Sequence, residues 1–311
     1  SDLNDFSKGD LIMRKVLLAT TALVAMSVTA AQADVSISGY AEFAYTQPNA
    51  GENTMASDGG IVIKATSTTD SGITFTAVQD SKFEGNSGSF TAAGTEAAPN
   101  EVGSGLNDSY VQASGDFGTV KMGASDTALD SQDGSFTGRS LSIQGAGEVT
   151  GSKSTVLIGG DSTAFNYTSP SINGLQLVGS IDEANNRTDI GAKYEIGGVT
   201  IGYQTRSSAT DSTLVGIGVS MAGVRVQAAS VEHVTGATKR KVSDVGFSYT
   251  TGAITVAGHT SKATGTSTDT NNEIGVMYDV GGGASIRATS YANKVGAVDS
   301  SGVYSEFRVT F

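Results

Sequence analysis

The sequence predicts an all-β protein, a sixteen-stranded antiparallel transmembrane β-barrel. Three observations support this fold class. Apolar and polar residues alternate along most of the chain after residue 34, short glycine-rich connections alternate with longer polar segments, and charged residues stand in the middle of alternating runs. A period of two indicates strands, because successive side chains of a strand point to opposite faces of the sheet.

The N-terminal segment 13–33 has the pattern of a secretory signal peptide. Two cations at positions 14 and 15 precede an apolar run over 16–28 and an Ala-Gln-Ala pattern that ends at Ala33. This order is typical of exported proteins, and the run is too short to span a bilayer comfortably. We expect cleavage before Asp34. Residues 1–12 are interpreted as a non-native or mis-assigned leader, and residues 34–311 as a single barrel domain.

The composition excludes several functional classes. The formal net charge is -12, which disfavours nucleic-acid binding because that function needs a basic surface. The chain has no Cys, so a disulfide scaffold or thiolate chemistry is excluded. It has 41 Gly but only three Pro, which favours strands joined by tight turns.

The alternating runs can be followed from one end of the barrel domain to the other. The first run sets Val35, Ile37 and Phe43 on one face and Glu42 on the other. Seven short connections and eight longer polar segments then join sixteen strands. The short connections lie at 68–72, 115–118, 169–174, 196–198, 221–223, 250–252 and 280–283. The longer ones lie at about 47–59, 81–107, 124–162, 182–188, 206–212, 232–242, 262–272 and 293–301.

A membrane barrel and a soluble sandwich or solenoid both fit alternating strands, and the mid-strand charges favour the barrel. They are awkward in a packed sandwich but natural in a wet lumen, with the apolar face toward lipid. Backbone groups in lipid must all be paired, so the sheet has to close. The charges predicted to point inward are Glu42, Lys64, Lys121, Lys193, Arg225, Arg287 and Arg308.

Four tyrosines recur at one offset from a short turn. Tyr167, Tyr194, Tyr249 and Tyr278 each stand three residues before a Gly or Pro. A single tyrosine would be interpreted as ordinary cross-strand packing. Four at the same offset predict an aromatic girdle at the lipid–water interface, where an amphipathic ring is favourable.

Beyond these patterns, the chain resembles the general diffusion porins of Gram-negative outer membranes, in particular those of alphaproteobacteria. The matching stretches are "DVSISGYAEFAY", "STTDSGITF", "SGDFGTVKMG", "YTSPSINGLQL", "YDVGGGASI" and the terminal "FRVTF". Together with the signal segment they run from about residue 13 to 311. The resemblance implies a homotrimer and a third loop folded into the lumen. Segment 124–162 stands in that place, although it is rich in Ser and Gly and half apolar rather than strongly acidic.

The resemblance also implies a function. We expect an outer-membrane channel that passes ions and small hydrophilic solutes passively, in contact with lipid and lipopolysaccharide, with Phe311 as a signal for the outer-membrane assembly machinery. The inward loop would carry Asp126, Asp130 and Asp133 opposite the wall cations. Opposed charge rows orient polar solutes and repel apolar ones. The net charge of -12 predicts a mild cation preference.

The alternatives are an outer-membrane enzyme and a surface protein with a structural or adhesive role. Only His233 and His259 are available as catalytic bases, and the chain has no Gly-x-Ser-x-Gly motif, so we expect no catalytic site. No metal site or cofactor is predicted. The one exception left open is a structural calcium at "DSQDG" (130–134), whose spacing is not that of an EF-hand, so a polar loop is the simpler interpretation.

Overall fold

The computed structural model describes residues 33–84, 88–90, 103–141, 143, 158, 161–265 and 267–311. These ranges contain seventeen strands in one antiparallel sheet. The strands are β1 (Asp34–Pro48), β2 (Asn53–Thr68), β3 (Thr74–Glu84), β4 (Gly88–Phe90), β5 (Gly103–Gly115), β6 (Gly118–Asp126), β7 (Asp161–Thr168), β8 (Leu175–Asp182), β9 (Arg187–Ile196), β10 (Val199–Ser207), β11 (Asp211–Met221), β12 (Val224–Thr235), β13 (Thr238–Thr251), β14 (Ile254–Thr264), β15 (Asp269–Gly281), β16 (Ala284–Val295) and β17 (Val298–Thr310).

The sheet closes into a barrel with sixteen strand positions, which confirms the predicted fold class. The short strand β4 pairs with the first residues of β2, while β3 pairs with the rest of β2, so β3 and β4 occupy one position. The barrel closes between β1 and β17. At that seam Phe311 and Gly39 exchange two backbone hydrogen bonds, each 2.9 Å long. Closure leaves no open sheet edge, as lipid requires.

The two faces of the sheet differ as the alternation predicts. In β11 the exposed residues Val215, Ile217 and Val219 alternate with residues that are buried or glycine, among them Leu214. Large apolar side chains are exposed on nearly every strand, and we call this side the outward face. Lipid covers such a face in a membrane barrel, so its exposure is expected rather than costly.

The seven short connections are confirmed, all at one end of the barrel. The strands are joined there by residues 69–73, 116–117, 169–174, 197–198, 222–223, 252–253 and 282–283. In the β9–β10 turn, Gly197 and Gly198 both have positive φ, at 58° and 81°. This backbone matches the strand twist in two-residue hairpins and favours glycine.

The connections at the other end are mostly shorter than predicted. Six of them span only 49–52, 183–186, 208–210, 236–237, 265–268 and 296–297. The polar segments that were interpreted as loops are largely continuations of strands. Where both faces of a strand meet water, the apolar side of the alternation disappears, so the sequence pattern no longer marks the strand. Two long connections remain, β3 to β5 and β6 to β7.

Within the described ranges, no helix is long and apolar enough to cross a membrane. The leader 1–12 and the signal peptide, apart from Ala33, lie outside the described residues. So does much of the second half of segment 124–162. The assignments made for these residues stay predictions.

Candidate functional site

The segment that follows β6 folds onto the inward face of the barrel. Residues 127–141 and 143, which we call the inserted segment, contain the helical turn α1 (Asp130–Asp133) and a 3₁₀ turn (Gly138–Leu141). Leu129 and Phe136 are fully buried against inward residues such as Leu214. Burying a side chain of this size contributes roughly 1.5–3 kcal/mol. The half-apolar composition of this segment therefore serves its packing inside the barrel.

Glycines on the inward face make room for the inserted segment. Gly202 and Gly216 are direct cross-strand partners, and the Phe136 ring lies on both. A Cβ atom on either glycine would stand less than 3.0 Å from that ring. Gly246 likewise faces the backbone of Gly138. These glycines are needed for close approach rather than for an unusual backbone conformation.

Hydrogen bonds fix the inserted segment at several points of the wall. The Ala128 N–H donates to Asn166 Oδ1 at 3.1 Å and to Ser180 Oγ at 2.8 Å. Further along, the contacts run across neighbouring strands toward β16. They join Gln204 Nε2 to Leu129 O, Arg225 Nη2 and Gln227 Nε2 to Gly134 O, the Arg139 N–H to Asp244 Oδ2, and Thr289 Oγ1 to Ile143 O. The segment thus lies against the wall from β7 to β16.

The described contacts leave the inward faces of β17, β1, β2, β3 and β5 facing the lumen, and this surface carries paired charges. Arg308 Nη1 donates to Glu42 Oε2 at 2.9 Å, and its guanidinium lies 4.1 Å from the centroid of the Tyr40 ring. On the adjoining strand pair, Arg287 Nη1 is 3.2 Å from Glu306 Oε1. Two of the predicted wall cations are therefore partly neutralised by carboxylates.

The other four predicted wall cations lie on β2, β6, β9 and β12, and the inserted segment contacts only part of this wall. Lys64 is exposed on β2. Lys121 donates to the backbone oxygen of Asp126 at 2.8 Å and lies 5.1 Å from the Tyr110 ring centroid. Lys193 is half-buried on β9. The side chain of the exposed Arg225 donates a hydrogen bond to a backbone oxygen of the inserted segment.

The three predicted loop acids occupy different environments. Asp126 is exposed at the end of β6, and Asp130 is partly exposed at the start of α1. Asp133 is only 4% exposed and lies between the inserted segment and the wall. Burial and the nearby Asp130 carboxyl raise the pKa of Asp133 to about 7. Asp133 therefore faces the wall rather than the open lumen, and the role of the other two in a constriction stays a prediction.

The predicted girdle residues share one place in the barrel. Tyr167, Tyr194, Tyr249 and Tyr278 are all on the outward face near the short turns, with exposed fractions between 37% and 50%. Phe311 is 69% exposed at the same end. The positions fit an interfacial girdle and an accessible C-terminal side chain, and both roles stay predictions.

The described residues include one Ser–His contact, between β11 and β12. No group of three or more His, Cys, Asp or Glu residues in these ranges could hold a metal ion together. Ser212 Oγ lies 2.8 Å from His233 Nδ1, but Ser212 is only 4% exposed. His259 is buried on β14, with Nδ1 3.9 Å from Glu273 Oε2.

Sequence reasoning missed the residues that hold the inserted segment. Gln204, Gln227 and Asp244 are inward by parity, but a lone amide or carboxylate in an alternating run carries no sign of what it binds. The glycine pair Gly202 and Gly216 could have been found, since each is a gap in an otherwise regular run. Tyr40 and Glu306 could also have been found, because the alternation places both side chains on the predicted polar face.

Comparisons with known proteins agree with this architecture. A family model described as Gram-negative porin matches residues 19–311. A comparison with curated protein sequences found no match. Among solved structures, a loop-deletion mutant of OmpT, an outer membrane protein of Vibrio cholerae, has a TM-score of 0.69 at 9% identity, covering 90% of this chain and 99% of that one. A triple mutant of the Rhodopseudomonas blastica porin has a TM-score of 0.65 at 18% identity, covering 89% and 100%.

Proposed function

Because the chain belongs to the Gram-negative porin family and forms a channel for passive diffusion in the outer membrane, we propose that ions and small hydrophilic solutes cross it between the inserted segment and the open wall. The open wall consists of the inward faces of β17, β1, β2, β3 and β5. One observation carries the proposal: within the described part of the chain, the inserted segment lies against the wall from β7 to β16 and leaves the charged surface around Arg308 and Lys64 uncovered. Polar groups on both sides keep such a passage wet.

We propose a mild cation preference for this passage. The formal net charge is -12, and the wall cations Arg308 and Arg287 are each paired with a carboxylate. The exposed Asp126 and the partly exposed Asp130 add negative charge at the start of the inserted segment.

The channel is proposed to act as a homotrimer, in contact with lipopolysaccharide and after insertion by an assembly machinery that recognises Phe311. It needs no cofactor or energy source, since flux follows the concentration gradient. We also propose that it has no catalytic activity. The buried Ser212 hydroxyl at the Ser212–His233 contact is out of reach of a substrate, which supports this view. A structural calcium at 130–134 is not part of the proposal.

Reconstitution of residues 34–311 in a planar bilayer tests the proposal. We expect stepwise conductance in groups of three and a reversal potential of cation-selective sign under a salt gradient. A folded, heat-modifiable barrel without conductance would overturn the channel assignment. Single steps would overturn only the trimer, and an anion-selective sign only the cation preference.

A narrower test replaces Lys121 by Glu. If Lys121 lines the passage, the variant should shift the reversal potential further toward cations than the parent. Lys193→Glu, on the wall beside the inserted segment, is the matched control and should shift it less.

A further inference from the structure

A cavity of about 250 Å³ lies between the start of the inserted segment and the inward faces of β5, β6 and β7. We call it the β5–β7 cavity. The paired residues Thr119 and Thr168 and the side chains of Tyr110, Lys121 and Asn166 contribute to its lining. The proposed diffusion of ions does not require a solute bound in this cavity.

One residue that lines the cavity, Asn166, has a hydrogen-bond donor that finds no partner among the described residues. Asn166 is 2% exposed, and its Oδ1 accepts the Ala128 N–H, which orients the amide. Its Nδ2 then has no hydrogen-bond partner in the described part of the chain. A buried polar group without a partner costs about 1–3 kcal/mol, so a group that accepts this hydrogen bond is favoured in the cavity.

The remaining lining defines the chemical class of an occupant. Hydroxyls of Thr119 and Thr168 can both donate and accept, and the Tyr110 ring supplies an apolar wall. The Lys121 ammonium is the cation in the lining, and the carboxylates of Asp108, Asp126 and Asp130 act on it electrostatically. The three carboxylates disfavour a free anion, while the ammonium and the Asn166 amide donor of the lining disfavour a free cation.

The volume of the cavity indicates the size of an occupant. Pockets for drug-sized ligands have volumes of roughly 300–1,000 Å³, so about 250 Å³ fits a smaller molecule. An uncharged molecule of that size, with several hydroxyls for the donors and acceptors and a C–H face for the tyrosine, is a single sugar ring.

We propose that the β5–β7 cavity binds one uncharged polyhydroxylated solute of monosaccharide size during its passage through the channel. The inference rests on the proposed diffusion of small hydrophilic solutes and adds a binding step to it. Binding beside the passage obstructs ion flow while the solute stays, so the ion current should fall in a saturable way as the solute concentration rises.

The test measures ion current through the reconstituted channel with added glucose. Glycine betaine at matched viscosity, which has no hydroxyl group, is the reference solute. We expect a saturable decrease of current with glucose and only the linear viscosity effect with the reference.

Two variants probe the lining. Thr119→Val combined with Thr168→Val removes both hydroxyls without a change of shape, and Asn166→Asp keeps the acceptor for Ala128 but removes the donor. Each should raise the half-blocking glucose concentration about fivefold or more, the effect of losing one net hydrogen bond. Thr200→Val, the same isosteric change on the inward face of β10, is the matched control and should leave it unchanged.

Heat-modifiability and the current without sugar show whether each variant is folded and open. A conducting parent channel with only a linear glucose effect overturns the binding proposal and leaves the diffusion function intact. A saturable effect shared by betaine overturns the solute class. A saturable glucose effect that persists in both variants overturns the location.

Discussion

Arg308 and Glu42 face each other across the closing strand pair, so the charge of each is partly cancelled in the lumen. Arg308 also lies on the ring of Tyr40, which holds the guanidinium against the wall. The position of a charge in an alternating run therefore determines the face it occupies, but its partners determine the field that a permeating ion meets.

Replacing Arg308 by Gln should make the channel more cation-selective. The change leaves Glu42 without its partner, and one partly exposed unit charge alters the local ion preference about twofold to fivefold. The measurement is the reversal potential under a potassium chloride gradient. Arg308→Lys, which keeps the positive charge, should behave like the parent; an equal shift in both variants would contradict the explanation by charge.

Asp133 should make stability depend on pH. Its pKa is raised from 3.8 to about 7 in the folded barrel, chiefly by burial. The folded state therefore binds the proton more tightly than the unfolded state. The stabilisation from this proton is complete below about pH 4 and is lost as the pH rises through about 7.

Asp133→Asn should remove that dependence, because the amide stays neutral. The parent channel should lose apparent thermal stability between about pH 4 and pH 7, and the variant should lose less, by an amount on the order of a few kcal/mol. Thermal unfolding in detergent at a series of pH values measures this. Parallel curves for parent and variant would show that Asp133 titrates normally.

At the scale of the element, the inserted segment depends on matched surfaces. Leu129 and Phe136 supply apolar side chains, and glycines on β9, β10 and β11 supply the space for them. Gly246 on β13 gives the same room to the backbone of Gly138. The contact needs both the apolar side chains and the glycines. Without the space at the glycines, the inserted segment would expose its apolar side chains to the water of the lumen.

Gly246→Ala should displace the inserted segment. The added methyl group would stand less than 3.0 Å from the backbone of Gly138, which cannot yield as a flexible side-chain tip can. We expect a single-channel conductance that is larger or more variable than that of the parent, and easier proteolysis of the segment. In Gly179→Ala the added carbon meets only an ordinary contact at 3.5 Å, so this control should resemble the parent. Identical conductance in all three would mean that the segment does not narrow the passage.

The whole molecule depends on closure of the sheet at one seam. Strand β17 pairs with β1 from Gly302 to Thr310, and the last pair of backbone hydrogen bonds joins Phe311 to Gly39. The Phe311 ring also lies against Gly39, where a side chain would collide with it. The C-terminal residue is thus part of the wall as well as a candidate assembly signal.

Deletion of Phe311 should therefore weaken the barrel itself. Loss of two backbone hydrogen bonds at the seam should lower stability by about 1–3 kcal/mol, measured by refolding of the purified chain in detergent. Phe311→Ala keeps these bonds, so it should refold nearly as well while it impairs insertion in cells. Equal refolding yields of the deletion variant and the parent would show that Phe311 does not stabilise the barrel. Its role would then be confined to recognition by the assembly machinery.

The sequence alone determined the barrel class, the strand number, the inward and outward faces and the short-turn end, because a period of two and a glycine turn are local properties. It also placed Glu42 and Arg308 on one face. Only the tertiary structure decided that they form a pair, that Asp133 is buried, that Arg225 holds the inserted segment, and that most connections at the other end are short. These features depend on register around a closed sheet and on the path of a segment across it, and both arise from contacts between residues far apart in the chain.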